Sequence, residues 1–263
     1  LPRSSQDDEL LLVPGASFDV RGYTRTAIGS HRDDLDLDGF AAQPLTPSTL
    51  RAIRSLERVE RSTMHHLRNV LVTPTHKDAR VTAFLITWAF EKFWMADALR
   101  AVLEAHAIEP LGESSRRGGG AVFDRIRPIG TSLFTGAIGS DIVAVHMALG
   151  IADDWAMGAT YETVASDAAN PTLDAVFARI AHVRARHAEF FEVQARDRLS
   201  RSLRSRSLTR ARFRVATVPI SSSALSADDR RALDTIVQRR ATETLARIRT
   251  LPGLAGTRLR PGH

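Results

Sequence analysis

The chain has 263 residues, 43% hydrophobic and 25% charged, enough to bury one substantial core, and the length favours a single domain over two small ones. It contains no cysteine, which excludes disulfides, thiolate metal sites and cysteine nucleophiles, and makes a reducing cytoplasm the expected compartment. The formal charge of +6 is carried almost wholly by arginine, since Lys77 and Lys92 are the only lysines.

Residues 1–45 carry Gly, Pro and acidic clusters without a sustained period, and are expected to form an irregular arm with none of the layout of a signal peptide. Asp34, Asp36, Asp38 and Gly39 match the opening of a calcium loop, but Leu45 stands where the bidentate Glu belongs. Thr46-Pro47 reads as a cap and a first-turn proline opening a helix to about Thr73. A second helix is predicted over about Lys77 to Ala107. It holds the richest apolar stretch, Val81 to Leu103, but Glu91, Lys92, Asp97 and Arg100 interrupt it, so no run is expected to span a membrane.

Ile108 to Arg127, with its Gly118-Gly119-Gly120 run, reads as a loop joining two halves of a bundle. A third helix is predicted over about Ile129 to Asp167. Asn170-Pro171 then opens a fourth that continues to about Ser205, and Ser226 caps a last helix ending near Leu251. Residues 46–251 are therefore expected to form one all-α domain, with 252–263 as a tail. Ten arginines between Arg184 and Arg214 admit a nucleic-acid-binding reading, but no binding motif or aromatic interleaving accompanies them, and a solvated helix face explains the run more simply.

The informative charges are those on the apolar seams. Glu57 and Glu60 step in threes and fours with Leu50, Ile53, Met64 and Leu67 on the first helix. Glu91 falls in the row Val81, Phe84, Trp88, Met95 on a second helix that is apolar nearly all round. Asp154 shares a row with Met147, Gly150 and Tyr161, with Asp153 beside His146 as a close competitor. Arg184 and His187 lie with Phe177, Ile180 and Phe191. Burying unpaired charge costs several kcal/mol, so these groups must neutralise one another or hold a cation.

Helix order, residue spacing and the Arg-His-Ala-Glu-Phe-Phe run at 186–191 resemble the ferritin-like di-iron carboxylate superfamily, and most of all the acyl-carrier-protein desaturases and related di-iron oxygenases. The resemblance covers roughly residues 47 to 195. It implies a four-helix bundle whose helices supply Glu, Glu-x-x-His, Glu and Glu-x-x-His to two irons. Glu60, Glu91, Asp154 and His187 then take metal-ligand positions, with Glu57 and His146 as possible additions. Trp94 replaces the first His and Arg184 the second bridging Glu. Indole offers no lone pair and a guanidinium brings fixed positive charge, so the leading expectation is a metal-free bundle in which Arg184 bridges Asp154 and Glu91 or Glu60. A single iron, manganese or zinc on Glu60, Glu91, Asp154 and His187 comes next, and an intact di-iron oxidoreductase or oxygenase last. The resemblance also implies an apolar small molecule or acyl-carrier substrate and a homodimer formed through the first two helices.

Overall fold

The computed structural model describes residues 18–108, 139, 141–216 and 227–258, and every segment of regular structure among them is helical. Ten α-helices follow in chain order: α1 Val20–Arg25, α2 Gly39–Ala42, α3 Pro47–Arg61, α4 Thr63–Leu71, α5 Ala79–Ala105, α6 Asp141–Ala168, α7 Pro171–Arg201, α8 Leu203–Phe213, α9 Ala227–Arg239 and α10 Ala241–Arg249. The expected Gly-rich loop after residue 108, the start of the third helix and the Ser226 cap lie outside the described residues.

Local chemistry fixes most of the starts. Thr46 accepts from the Thr49 amide ahead of Pro47, Asp78 from Val81, and Asn170 from Leu173 ahead of Pro171. Three predicted helices are broken where the periodicity reads straight through. Ser62 ends α3, its hydroxyl turned back onto the Val59 carbonyl at 2.8 Å. Ser202 is extended at φ −131°, ψ 117° and caps α8. Arg240, at φ −118°, separates α9 from α10.

The arm is not irregular throughout. Besides α1 and α2 it contains a 3₁₀ turn at Arg32–Asp34, and it buries Phe18, Tyr23, Phe40 and Leu45 against the bundle. The expected tail packs too, with Leu254 and Thr257 buried. Contrary to the sequence expectation, α6 is long and apolar enough to cross a membrane. However, 72% of its apolar window is buried inside the fold, so the bundle itself accounts for its composition.

The apolar core falls into two clusters. One takes Leu67 and Val70 of α4, Val81 to Ala89 of α5, Ile142 to Trp155 of α6 and Phe190 to Leu199 of α7. The other takes Ile53 to Val59 of α3, Met95 to Leu103 of α5, Met157 to Val164 of α6 and Leu173 to Val183 of α7. The order in which each helix meets the clusters gives its direction: α3–α4 and α7 run one way, α5 and α6 the other. Between the clusters each long helix contributes buried polar or charged side chains: Glu60, Glu91 with Lys92, Asp154, and Arg184 with His187. The result is a polar belt across the middle of an otherwise apolar bundle.

Candidate functional site

Glu91 and His187 sit at the centre of the belt, both 0% exposed. Glu91 is saturated: Oε2 accepts from the Tyr23 hydroxyl at 2.6 Å and meets His187 Nε2 at 2.7 Å, while Oε1 accepts from the Ile28 amide at 2.9 Å and from Arg186. Burial pushes the Glu91 carboxyl upward, but the bonds from His187, Tyr23 and Ile28 more than offset this and hold it below the usual range, so it is ionised. Burial also lowers the His187 imidazole, which stays neutral despite Glu91. A neutral ring beside an ionised carboxylate must carry its proton on Nε2 to donate, leaving Nδ1 a bare lone pair without a hydrogen-bond partner. Arg186 stands over the Tyr23 ring at 5.1 Å and donates to the Thr26 carbonyl at 3.1 Å, clamping the arm onto the belt.

Glu60 has a different partner from the one expected. Lys92 Nζ lies 2.7 Å from its Oε2, and the Tyr161 hydroxyl donates to Oε1 at 3.0 Å. Both members of the ion pair are buried. Arg184 does not bridge two carboxylates: it pairs with Asp154 Oδ1 at 3.0 Å, donates to the Asp154 backbone carbonyl and lies 5.4 Å over the Tyr161 ring. Gly158 permits this approach, since a Cβ there would fall 3.1 Å from Arg184 Nη1. Three carboxylates, Glu60, Glu91 and Asp154, are thus matched one for one by Lys92, Arg186 and Arg184.

Other predicted members lie elsewhere. The Trp94 ring packs edge-on against Phe90 and Phe93, both exposed, while its indole Nε1 is buried without a hydrogen-bond partner. Glu57 is buried but serves Arg61 and Arg100, with burial raising its carboxyl against the pull of Arg61. His146 bonds Thr75 Oγ1 at 2.8 Å and, with His66, lines a cavity on one side of the belt. Among the described residues no three His, Asp or Glu side chains are grouped so as to hold a metal ion. A ligand set for iron or manganese therefore does not fit this belt: each carboxylate is already engaged by a protein cation, and Arg184 and Lys92 bring positive charge to its centre.

The cavity measures ≈ 40 Å³, room for about one water. Glu60, Lys92, Asp153 and Asp154 form its polar side, and Leu67, Val70, Leu85, Trp88, Met147 and Phe191 an apolar wall. Burial lowers His66 to about 4 and His146 to about 3, so both are neutral near pH 7. On the far side of the Asp154–Arg184 pair an open cleft of ≈ 210 Å³ is lined by Trp155, Glu243 and Arg247. Asp154 borders both spaces.

Tyr23, Lys92 and Arg186 were the belt members that sequence reasoning missed. One signal was available: the chain has two tyrosines and two lysines, and both tyrosines and one lysine contact a belt carboxylate. The chain matches no protein-family model, no curated protein and no solved structure.

Proposed function

We propose that the protein is a ferritin-like helical bundle in which buried ion pairs take the place of a metal centre, and that it binds a small apolar molecule in the cavity beside them. The observation that carries this reading is the pairing of each belt carboxylate with its own cation, next to a cavity with one polar edge and apolar walls. The direction of the helices supports the fold assignment. With α5 and α6 running the same way, the order departs from simple up-down alternation and agrees with a bundle that has one long crossover. A ligand of one or two heavy atoms suits the cavity, whereas a long acyl chain does not.

Nothing at the belt favours the iron oxidoreductase reading. The nucleic-acid reading is weakened because arginines of α7 and α8 are tied to protein partners: Arg196 to Glu192, Arg198 to Asp78, Arg201 to Asp197 and Arg210 to the Gly253 carbonyl. Met147 lines the cavity, so methyl NMR of protein labelled at its four methionines tests the proposal directly. Titration with methanol is expected to shift the Met147 methyl and leave exposed Met64 in place. Unmoved Met147 at saturating alcohol contradicts it.

A further inference from the structure

The open cleft on the outer side of the Asp154–Arg184 pair is larger than the cavity and differs from it in chemistry. α10 packs against α6, and the α7 wall of the cleft is built from Ala181, Ala185 and Ala188 around the Arg184 side chain. Side chains this short leave ≈ 210 Å³ unfilled and apolar along one wall. A cavity of about 150 Å³ holds benzene, so this space has room for a ligand of roughly six heavy atoms. Three carboxylates and three guanidinium groups meet here, but they are not paired one to one. Asp154 is answered by Arg184 at 3.0 Å, while Glu162 and Glu243 share Arg240, at 3.2 and 2.5 Å. The shared pair lies at the rim, with the Glu162 and Glu243 side chains 67% and 50% exposed, where water and salt screen its surplus negative charge. Arg247, one turn beyond Glu243 on α10, pairs with no carboxylate among the described residues, and its guanidinium carbon lies 4.6 Å from the centroid of the Trp155 ring.

We propose that this cleft binds a small aliphatic monocarboxylate, its carboxylate on the Arg247 fork beside Trp155 and its alkyl body along Ala181, Ala185 and Ala188. Contact with the indole holds the guanidinium in place and leaves its N–H groups for a planar, bidentate partner, which a carboxylate is. Two further N–H groups of the cleft residues lack a hydrogen-bond partner: Nε1 of Trp155 and Nε of Arg184, in side chains belonging to residues only 5% and 6% exposed. Buried N–H groups are as a rule satisfied, so two orphans beside an unpaired guanidinium mark a site short of acceptor oxygens. The alanine wall supplies the apolar surface that a few methylenes would cover, and polar groups are gathered at one end of it, as small-molecule sites generally require. The cleft is separate from the ≈ 40 Å³ cavity, so its failure as a site would leave the cavity reading untouched.

The experiment titrates ¹⁵N-labelled protein with sodium butanoate at constant ionic strength and follows the indole N–H signals of its three tryptophans, Trp155 being assigned with Trp155→Phe. The Trp155 signal is expected to move saturably while Trp88 and Trp94, which do not border the cleft, stay in place. Butan-1-ol and butylamine, of similar size without the negative charge, should leave Trp155 where it is, and so should phosphate at the same concentrations. Arg247→Gln, an exposed position on α10, should weaken butanoate binding about tenfold or more, the usual cost of losing a charge-assisted hydrogen bond. Ala185→Leu should abolish it by filling the cleft, and because Ala185 is itself exposed the added methyls do not enter the core. A Trp155 signal that does not saturate with butanoate in the folded wild-type protein overturns the inference, whichever variants fold. An equal response to butan-1-ol or butylamine overturns the role of Arg247, and an equal response to phosphate overturns the assignment to carboxylates.

Discussion

Lys92 and Tyr161 hold Glu60 from two sides, so removing the lysine strands a carboxylate among apolar side chains. Breaking a buried pair from one side typically costs about 3–5 kcal/mol, while removing both charges is far milder. Lys92→Met is therefore expected to lower stability by about that amount in urea denaturation, and Lys92→Met with Glu60→Gln to recover much of it. Equal losses in the single and double variants would show that the pair is not coupled. The two cavity histidines set a pH dependence. Their folded values, about 4 for His66 and about 3 for His146, lie below the unfolded value of 6.5. Between those limits the unfolded chain binds protons that the folded chain does not, so stability is full above pH 6.5 and falls as pH drops toward 4 and then 3. The urea midpoint should decline across this window, and His146→Gln should flatten the decline; a slope unchanged in the variant refutes the assignment.

At the level of the helices, the starts were readable because their causes are local. Thr46-Pro47 and Asn170-Pro171 carry both the cap and the proline within two residues. The breaks were not, because their causes are distant. Ser202, which ends α7, also bonds Asp141 Oδ1 at 2.8 Å, 61 residues away, and the arm is ordered by Tyr23 reaching Glu91 across 68 residues. The seam pattern did identify Glu60, Glu91, Asp154, Arg184 and His187 as buried, since a threefold and fourfold step suffices for that. It could not assign partners: Lys92 is adjacent to Glu91 in sequence yet pairs with Glu60, a choice made by how α5 faces α3. The same helices yield a packing prediction. A Cβ on Gly150 of α6 would lie 2.5 Å from the Phe191 ring, which is itself flanked by Phe84 and Trp88. Gly150→Ala gains about 1 kcal/mol of helix propensity. Overpacking against that ring should cost about 1–3 kcal/mol and outweigh the gain. A rise in melting temperature would contradict this.

Across the whole molecule, α5 is apolar on its outer side as well as its inner. Ile86, Phe90 and Phe93 are 55%, 45% and 54% exposed at helical spacing. A stripe of that kind on a long helix is the sort of surface that marks a protein contact. We propose it as the seat of the homodimer that the family resemblance implies: Phe93→Lys would then lower the molar mass in light scattering, and an unchanged mass removes the stripe from any self-contact. The belt divides the core into two apolar halves, and it tolerates its charge because Lys92, Arg184 and Arg186 supply from within the chain the positive charge a metal would have brought. The most direct measurement is metal content by mass spectrometry after anaerobic reconstitution of the protein with ferrous iron and, separately, with manganese. A belt neutralised by its own cations predicts no bound metal above the level of a Lys- and Arg-rich control protein. An integral stoichiometry of iron or manganese, lost on Glu91→Ala, would contradict it.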